Sequence, residues 1–196
     1  MRLQPKGLLA PRSFAVTGVS AQERMNRTLA EKTQPILVAD ERAAAIETLV
    51  ANITKLPQSH AEPLHVLEYP PGHRYDAHLD SFEDAVNYKK KPKILRQLDG
   101  GRNRLSTLLA YLHAPENGGG HTLFPRAAGA AFPKSYQCTP DSHGLRVAPQ
   151  RGQAILWYNL RADGQQDRLS LHSGCAPNEG GSKWACNMWT WTRPYD

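Results

Sequence analysis

His78 and Asp80 stand one residue apart, separated by Leu79. In an extended strand alternate side chains leave on the same face. The His78 imidazole and the Asp80 carboxylate can therefore grip one cation together. A third ligand has to come from elsewhere, and His172, in Leu169-Ser170-Leu171-His172-Ser173-Gly174-Cys175, is the candidate. Two histidines and one carboxylate on one side of a metal leave the opposite positions open, which is the ligand set of non-haem Fe(II) oxygenases. Open positions of that kind accept a bidentate co-substrate and O2. The chain has eight histidines; His60, His65, His73, His113, His121 and His143 are read as surface or core residues. Eleven residues past His172 comes Lys183, in Gly180-Gly181-Ser182-Lys183-Trp184. A lysine is a compact point charge suited to a carboxylate inside a pocket, and Lys183 faces inward if Trp184 faces outward.

These residues need a scaffold that brings mid-chain and late segments side by side. With 196 residues the chain is read as one domain with a sizeable core. Hydrophobic residues at 40% and charged residues at 21% suit a soluble globular protein. No apolar run approaches a membrane span. Met1 to Pro11 is basic without an apolar core and does not read as a signal peptide. Much of the net charge of +6 sits in Lys89-Lys90-Lys91-Pro92-Lys93 and in Arg96, Arg102 and Arg104. That run carries no recognition motif or interleaved aromatics, so it reads as a solvated basic loop and no nucleic-acid partner is expected. Cys138, Cys175 and Cys186 are too few for a disulfide scaffold, and there is no Cys-x-x-Cys. One bridge plus a free thiol and three buried thiols both fit that count.

Arg12 to Val19 has strand-type residues, and Ser20 to Lys32 reads as a short helix or loop. From Asp40, a reasonable N-cap, Ala43 to Ala45 favour helix and Ile46, Leu49, Val50 and Ile53 recur at helical spacing. The pattern predicts a helix over 41–55, stopped by Pro57, with that apolar face on a sheet. Short strands follow: Leu64–Tyr69, residues 76–80, and Leu105–Leu112, apolar on both faces and hence central. Residues 81–103 read as a long polar loop. Past the turn Glu116–Gly120 come His121–Phe124, a hairpin of Leu145–Ala148 with Ala154–Tyr158, then Leu169–His172 and Trp184–Thr192. One helix followed by about eight short strands predicts a mainly β fold, a β-sandwich or jelly roll.

Several blocks together carry a resemblance. They are Tyr69, Pro71-Gly72 and Tyr75-Asp76-Ala77-His78-Leu79-Asp80; Asn103 to Leu112; Gly118-Gly119-Gly120-His121-Thr122-Leu123-Phe124-Pro125; Gly144 to Ala154; Asn159-Leu160 with Asp163-Gly164; Asp167 to Cys175; and Lys183-Trp184. In this order, over residues 63–193, the chain resembles the catalytic domain of prolyl 4-hydroxylases. The resemblance implies a double-stranded β-helix (jelly roll) with an N-terminal supporting helix, residues 1–40 forming an N-terminal segment and 41–196 the dioxygenase domain. It implies Fe(II), 2-oxoglutarate, O2 and ascorbate, and hydroxylation of peptidyl proline at C4 with succinate and CO2 as co-products. By position, His78, Asp80 and His172 resemble the iron ligands, and Lys183 the residue that holds the distal carboxylate of 2-oxoglutarate. Tyr69 and Thr122 resemble its hydrogen-bonding companions. Tyr75, Arg104 and Trp189 resemble the lining of the substrate-proline site. The implied partner is a proline-rich peptide or protein, and aromatic side chains suit an extended Pro-rich segment.

The chain departs from the family pattern in places. His121 stands where a glutamate is usual, Lys183 follows His172 at one residue more than the common spacing, and the 81–103 loop is longer. Family domains usually carry a further helix or two ahead of the position of Arg12, so a truncated or naturally short form is expected. Cys138 and Cys175 resemble a paired couple in plant and algal members, which implies a bridge. Related eukaryotic enzymes work in the endoplasmic reticulum; without a targeting signal in this chain, a cytoplasmic location stays open. Two other readings share the scaffold: a 2-oxoglutarate oxygenase acting on another substrate class, and a non-catalytic module that binds Pro-rich peptides. The presence of all three ligand candidates and of Lys183 argues against the second.

Overall fold

The computed structural model describes residues 12–17, 38–39, 41–83, 92–127, 138–139 and 142–195. Its elements run β1 (Arg12–Thr17), β2 (Val38–Ala39), α1 (Glu41–Thr54), β3 (Leu64–Tyr69), β4 (Tyr75–His78), α2 (Pro92–Gln97) and β5 (Arg104–His113). They continue with β6 (Thr122–Phe124), β7 (Leu145–Val147), β8 (Ala154–Tyr158), β9 (His172–Gly174) and β10 (Lys183–Trp191). A six-stranded sheet has the order β2-β1-β3-β10-β5-β8 and a four-stranded sheet the order β4-β9-β6-β7. All pairings are antiparallel except that of β1 with β2. Two such sheets enclosing one cavity are the expected jelly roll.

Period-two alternation divides the large sheet into two faces. Leu64, Leu108, Cys186 and Met188 pack with Ala43 and Val50 of α1, joined by Val66, Ala110 and Leu156. Their neighbours in the same strands, Leu67, Tyr69, Thr107, Leu109, Trp157, Lys183, Ala185 and Asn187, line the cavity on the other face. One face is a dry helix-on-sheet core, and the other carries the polar side chains. β3 pairs with β10 in register, Tyr69 opposite Lys183, and β5 pairs with it in register between two shifts, at Trp184/Ala185 and Thr190/Trp191, with Leu109 opposite Asn187.

Helix α1 ends at Thr54, and Lys55 takes a left-handed φ of 60° before Pro57, the usual way a helix stops. Its buried stripe is Ala43, Glu47 and Val50 with Ile46 at the edge, whereas Leu49 and Ile53 are about half exposed. The expected apolar face is therefore rotated, because Ala43 and Glu47 complete the i, i+4, i+7 row that meets the sheet. The stretch read as one loop over 81–103 holds α2 and a 3-10 turn at Asp99–Gly101. Ile94, Leu95 and Leu98, at helical spacing, pack with Phe82 against buried Trp191. The predicted hairpin of β7 and β8 does not form. β7 pairs with β6 in the small sheet and β8 with β5 in the large one. The turn between them is spent crossing sheets, with Gln153 and Gly152 bonded to Tyr111 rather than to β7. The proposed N-cap Asp40, the 20–32 segment and Lys89 to Lys91 lie outside the described residues.

Candidate metal and anion site

β4 and β9 pair so that His78 lies directly opposite His172. The strand ends at His78, and Asp80 sits two residues on in a bend, still turned to the same side. The ligand atoms of His78, Asp80 and His172 all lie within 4.8 Å of one another. His78 Nε2 is 3.5 Å from Asp80 Oδ1, and His172 Nε2 is 3.6 Å from Asp80 Oδ2. Each ring is oriented through its other nitrogen. His78 Nδ1 lies 2.8 Å from the Asp76 carbonyl, and His172 Nδ1 lies 2.9 Å from the Ser170 carbonyl. A carbonyl only accepts, so Nδ1 donates in each ring and Nε2 is the atom turned toward Asp80, the orientation a metal ligand needs. Burial, reinforced by His78 and opposed by Asp80, lowers the His172 pKa to about 4, so the ring is neutral at pH 7. Burial by itself would raise the Asp80 pKa, yet His172, His78 and Arg104 hold it well below the usual carboxylate range.

Asp80 is supported from behind by residues that the sequence did not single out. Thr107 Oγ1 donates to Asp80 Oδ2 at 2.7 Å, and Asn159 Nδ2 donates to Thr107 Oγ1 at 2.9 Å. The one signal for Thr107 was its place on a predicted strand within the block Asn103 to Leu112. Asn159, just past β8, had no signal of that kind.

Lys183 opens β10 and is 1% exposed. Its Nζ lies 3.7 Å from the centroid of the Tyr69 ring, a cation–π contact. Burial is the cause that pulls its pKa down to about 7, with no acidic neighbour offsetting it. Thr122 Oγ1 is 2.8 Å from Tyr111 Oη, and both are buried. Tyr69 and Thr122 line the same cavity of about 40 Å³ as the triad and Lys183. Gly174 permits that crowding: a Cβ there would meet Tyr69 Oη at 2.8 Å. Two further buried polar atoms of cavity-lining residues, Trp157 Nε1 and Asn187 Oδ1, have no protein partner.

Tyr75 lies at the rim, 39% exposed, its ring centroid 4.1 Å from that of His78. The Arg104 guanidinium stacks 3.7 Å above the Trp189 ring and forks onto Glu62, with Nε–Oε1 2.6 Å and Nη2–Oε2 3.0 Å. Trp191 Nε1 donates to the same Glu62 Oε1 at 2.8 Å. Arg104 and Trp189 thus form one platform, while Tyr75 stands with the triad. Glu62, which organises the platform, had no sequence signal beyond its charge. Burial, then Arg146 and Lys183, lowers the His121 pKa to about 4, and its buried Nε2 has no protein partner. His121 approaches Cys138 and Cys175, but these two form a disulfide, so their thiolates are withdrawn from metal binding. Cys186 is a buried free thiol in the dry core.

A jelly roll that turns two imidazoles and a carboxylate toward one point, beside a buried lysine with no counter-charge among the described residues, has the form of a metal oxygenase that takes an acidic co-substrate. The model of the 2OG-Fe(II) oxygenase superfamily matches residues 64–191, and the chain belongs to that superfamily. The chain is 35% identical over 162 residues to "Probable prolyl 4-hydroxylase 4" of Arabidopsis thaliana, and 34% identical over 162 residues to "Prolyl 4-hydroxylase 2" of the same plant. Each alignment covers 80% of this chain and 50% of the relative, so the chain spans about half the length of these curated relatives. Among solved structures, the 2OG complex of the viral collagen prolyl hydroxylase of Paramecium Bursaria Chlorella virus-1 aligns with a TM-score of 0.57 at 23% identity. That alignment covers 79% of this chain and 74% of the viral one. A second structure of that viral enzyme gives 0.53 at 20% identity, covering 96% and 95%. These alignments bear out the jelly-roll fold. The residues present suit both groups in the superfamily's name: an N,N,O triad with both Nε2 atoms turned to one point for Fe(II), and a buried lysine that among the described residues has no acidic partner, in the same cavity, for a dicarboxylate.

Proposed function

We propose that this chain is the catalytic domain of a peptidyl-proline 4-hydroxylase, with His78, Asp80 and His172 as Fe(II) ligands and Lys183 as the anchor of 2-oxoglutarate. The observation that carries the reading is the shared cavity, in which the triad meets a buried lysine that has no acid partner among the described residues. Fe(II) with 2-oxoglutarate and O2 supplies the oxidising power, delivering one oxygen atom to a C–H bond as 2-oxoglutarate becomes succinate and CO2. The chain's own residues do the rest. His78 and His172 present their Nε2 atoms, oriented by the Nδ1–H donations to the Asp76 and Ser170 carbonyls, and Asp80 supplies the charge. Lys183 holds the distal carboxylate, with Tyr69 packed on its ammonium and Thr122 beside it. Trp157 Nε1 and Asn187 Oδ1 offer further polar contacts inside the cavity. Burial of these groups keeps water out, which strengthens each charge contact.

Proline as the target is supported by the names of the two plant relatives and by the aromatic groups near the site. Tyr75 at the rim and the Arg104–Trp189 platform offer flat faces to a proline ring, and Glu62 keeps the platform rigid. A proline-rich peptide, extended before it binds, docks on such faces at little entropic cost. Ascorbate is the expected reductant that keeps the iron ferrous. The Cys138–Cys175 bridge supports an oxidising compartment, the endoplasmic reticulum or another secretory lumen. The test is to incubate the protein with Fe(II), 2-oxoglutarate, ascorbate and a panel of Pro-rich peptides, and to look for peptides heavier by one oxygen atom. Hydroxyproline that depends on 2-oxoglutarate supports the assignment. Succinate release driven only by another substrate class refutes proline as the target.

A further inference from the structure

We propose that Thr107, held by Asn159, is a positioning residue that sets the orientation of Asp80 and thereby the metal affinity of the site. This rests on the reading of His78, Asp80 and His172 as metal ligands. Asp80 is 5% exposed and comes just after β4, in a bend where no ladder of backbone hydrogen bonds fixes it. Its carboxylate is nonetheless held. Thr107 Oγ1, 1% exposed in the middle of β5, donates to Oδ2 at 2.7 Å. A hydroxyl has one proton, and its rotor decides where that proton points. Asn159 Nδ2 donates into the same Oγ1 at 2.9 Å, so the Thr107 proton is directed toward Asp80.

Asn159 is itself anchored through its backbone. It is fully buried; its N–H donates to the Leu105 carbonyl at 2.8 Å, and its carbonyl accepts from Asp167 N at 2.9 Å and from Ser81 Oγ at 3.3 Å. Ser81 follows Asp80 directly, so the chain of contacts Asp80–Thr107–Asn159–Ser81 closes on itself. Gln166 Nε2 donates to the Ser81 hydroxyl at 3.0 Å and steadies that corner. The closed ring ties the carboxylate-bearing bend to β5 and to the end of β8. Thr107 holds Oδ2, which faces His172 Nε2, and so fixes the direction in which Oδ1 faces His78 Nε2.

The test is a titration of the full chain with Mn(II), a redox-stable stand-in for Fe(II), read by loss of the free-ion electron paramagnetic resonance signal. The parent, His172→Ala, Thr107→Val and Thr107→Ser are compared, with apo melting temperatures recorded. The expected result is uptake by the parent, none by His172→Ala, and a dissociation constant about tenfold or more weaker for Thr107→Val. Serine keeps the hydroxyl and restores affinity close to the parent's. A Thr107→Val protein that binds as the parent does overturns the proposal alone. So does a Thr107→Ser protein as weak as the valine variant, because the loss is then one of packing. A parent that takes up no Mn(II) overturns the ligand assignment and the proposal with it. If Thr107→Val does not fold, Asn159→Ala carries the test: weakened Mn(II) binding supports the directed proton, and affinity equal to the parent's overturns it.

Discussion

Lys183→Met is expected to stabilise the apo protein while crippling its use of 2-oxoglutarate. In the unfolded chain the ammonium stays protonated to the ordinary lysine pKa near 10.5, but burial brings it to about 7 in the folded protein. Between those values the unfolded chain binds the extra proton, so stability rises with pH across the window. The cost of the buried group is largest at and below about pH 7. At 1.36 kcal/mol for each pKa unit it amounts to roughly 3–5 kcal/mol. Methionine fills a similar volume without charge, so the variant should melt several degrees higher near pH 7 and lose the rising slope above it. A bound dicarboxylate reverses the balance, since only the protonated lysine pairs with it. Above about pH 7 binding must take up a proton, and 2-oxoglutarate affinity should fall by up to tenfold per pH unit. His121 and Tyr69, beside Lys183, keep their charge across pH 7 to 9: the His121 pKa is down at about 4, and burial raises the Tyr69 pKa well above its usual value. Loss of the charge in Lys183→Met should cost roughly 2–5 kcal/mol of binding, at least about 30-fold. Calorimetry with the Mn(II)-loaded protein from pH 6.5 to 9 reads both effects. An affinity that is flat with pH in the parent, or unchanged in the methionine variant, refutes the role of Lys183. A variant that melts lower than the parent refutes the claim that the buried ammonium is a burden.

Three more outcomes follow from the geometry. Asp80→Ala should abolish turnover and metal uptake while leaving the apo protein folded, as read by Mn(II) titration and circular dichroism. Glu62→Ala leaves the half-buried Arg104 guanidinium without its carboxylate and Trp191 Nε1 without its acceptor. It should cost roughly 3–5 kcal/mol in denaturant unfolding and, where it folds, raise the peptide KM more than the 2-oxoglutarate KM. Cys138→Ser opens the bridge to Cys175, which directly follows β9, the strand that carries His172. It should destabilise by roughly 2–4 kcal/mol, and a melting temperature equal to the parent's would show that the bridge does not restrain the fold.

The chemistry was more legible in the sequence than the connectivity. His78, Asp80, His172 and Lys183 are rare in such surroundings and stand out as types, and the structure brings them to one cavity. Tyr69, Thr122 and Tyr75 join them there, while Arg104 and Trp189 stack on each other. What escaped notice were residues whose types are common in strands. Thr107 passes for ordinary β-sheet filling until its hydroxyl is seen against Asp80. Glu62 has no meaning before its fork onto Arg104, forty-two residues away, is known. The β7–β8 hairpin was misread because a Pro-Gln-Arg-Gly turn looks the same whether the chain returns in its own sheet or crosses to the other. The rotation of α1 was missed because Leu49 and Ile53 outweigh the small Ala43 in any count of apolar residues. The helix packs where small residues let it approach, not where the largest side chains lie.

β10 carries both halves of this protein's physics in alternate residues. Met188 and Cys186 face α1 in the dry core, and Asn187 and Lys183 face the cavity. Adjacent substitutions should therefore separate stability from catalysis. Met188 is fully buried among Leu64, Leu108 and Val50, so Met188→Ala should cost roughly 2–5 kcal/mol and leave the KM values of the folded fraction unchanged. Asn187 Oδ1 already lacks a protein partner, so Asn187→Ala forfeits little folding energy, and its effect should fall on the KM for 2-oxoglutarate or peptide. Denaturant midpoints and steady-state kinetics on the two single variants decide the matter. If Met188→Ala shifts a KM at unchanged fold, or Asn187→Ala destabilises as much as Met188→Ala, the two faces are not independent. The polar side of the sheet would then be part of what holds the fold together.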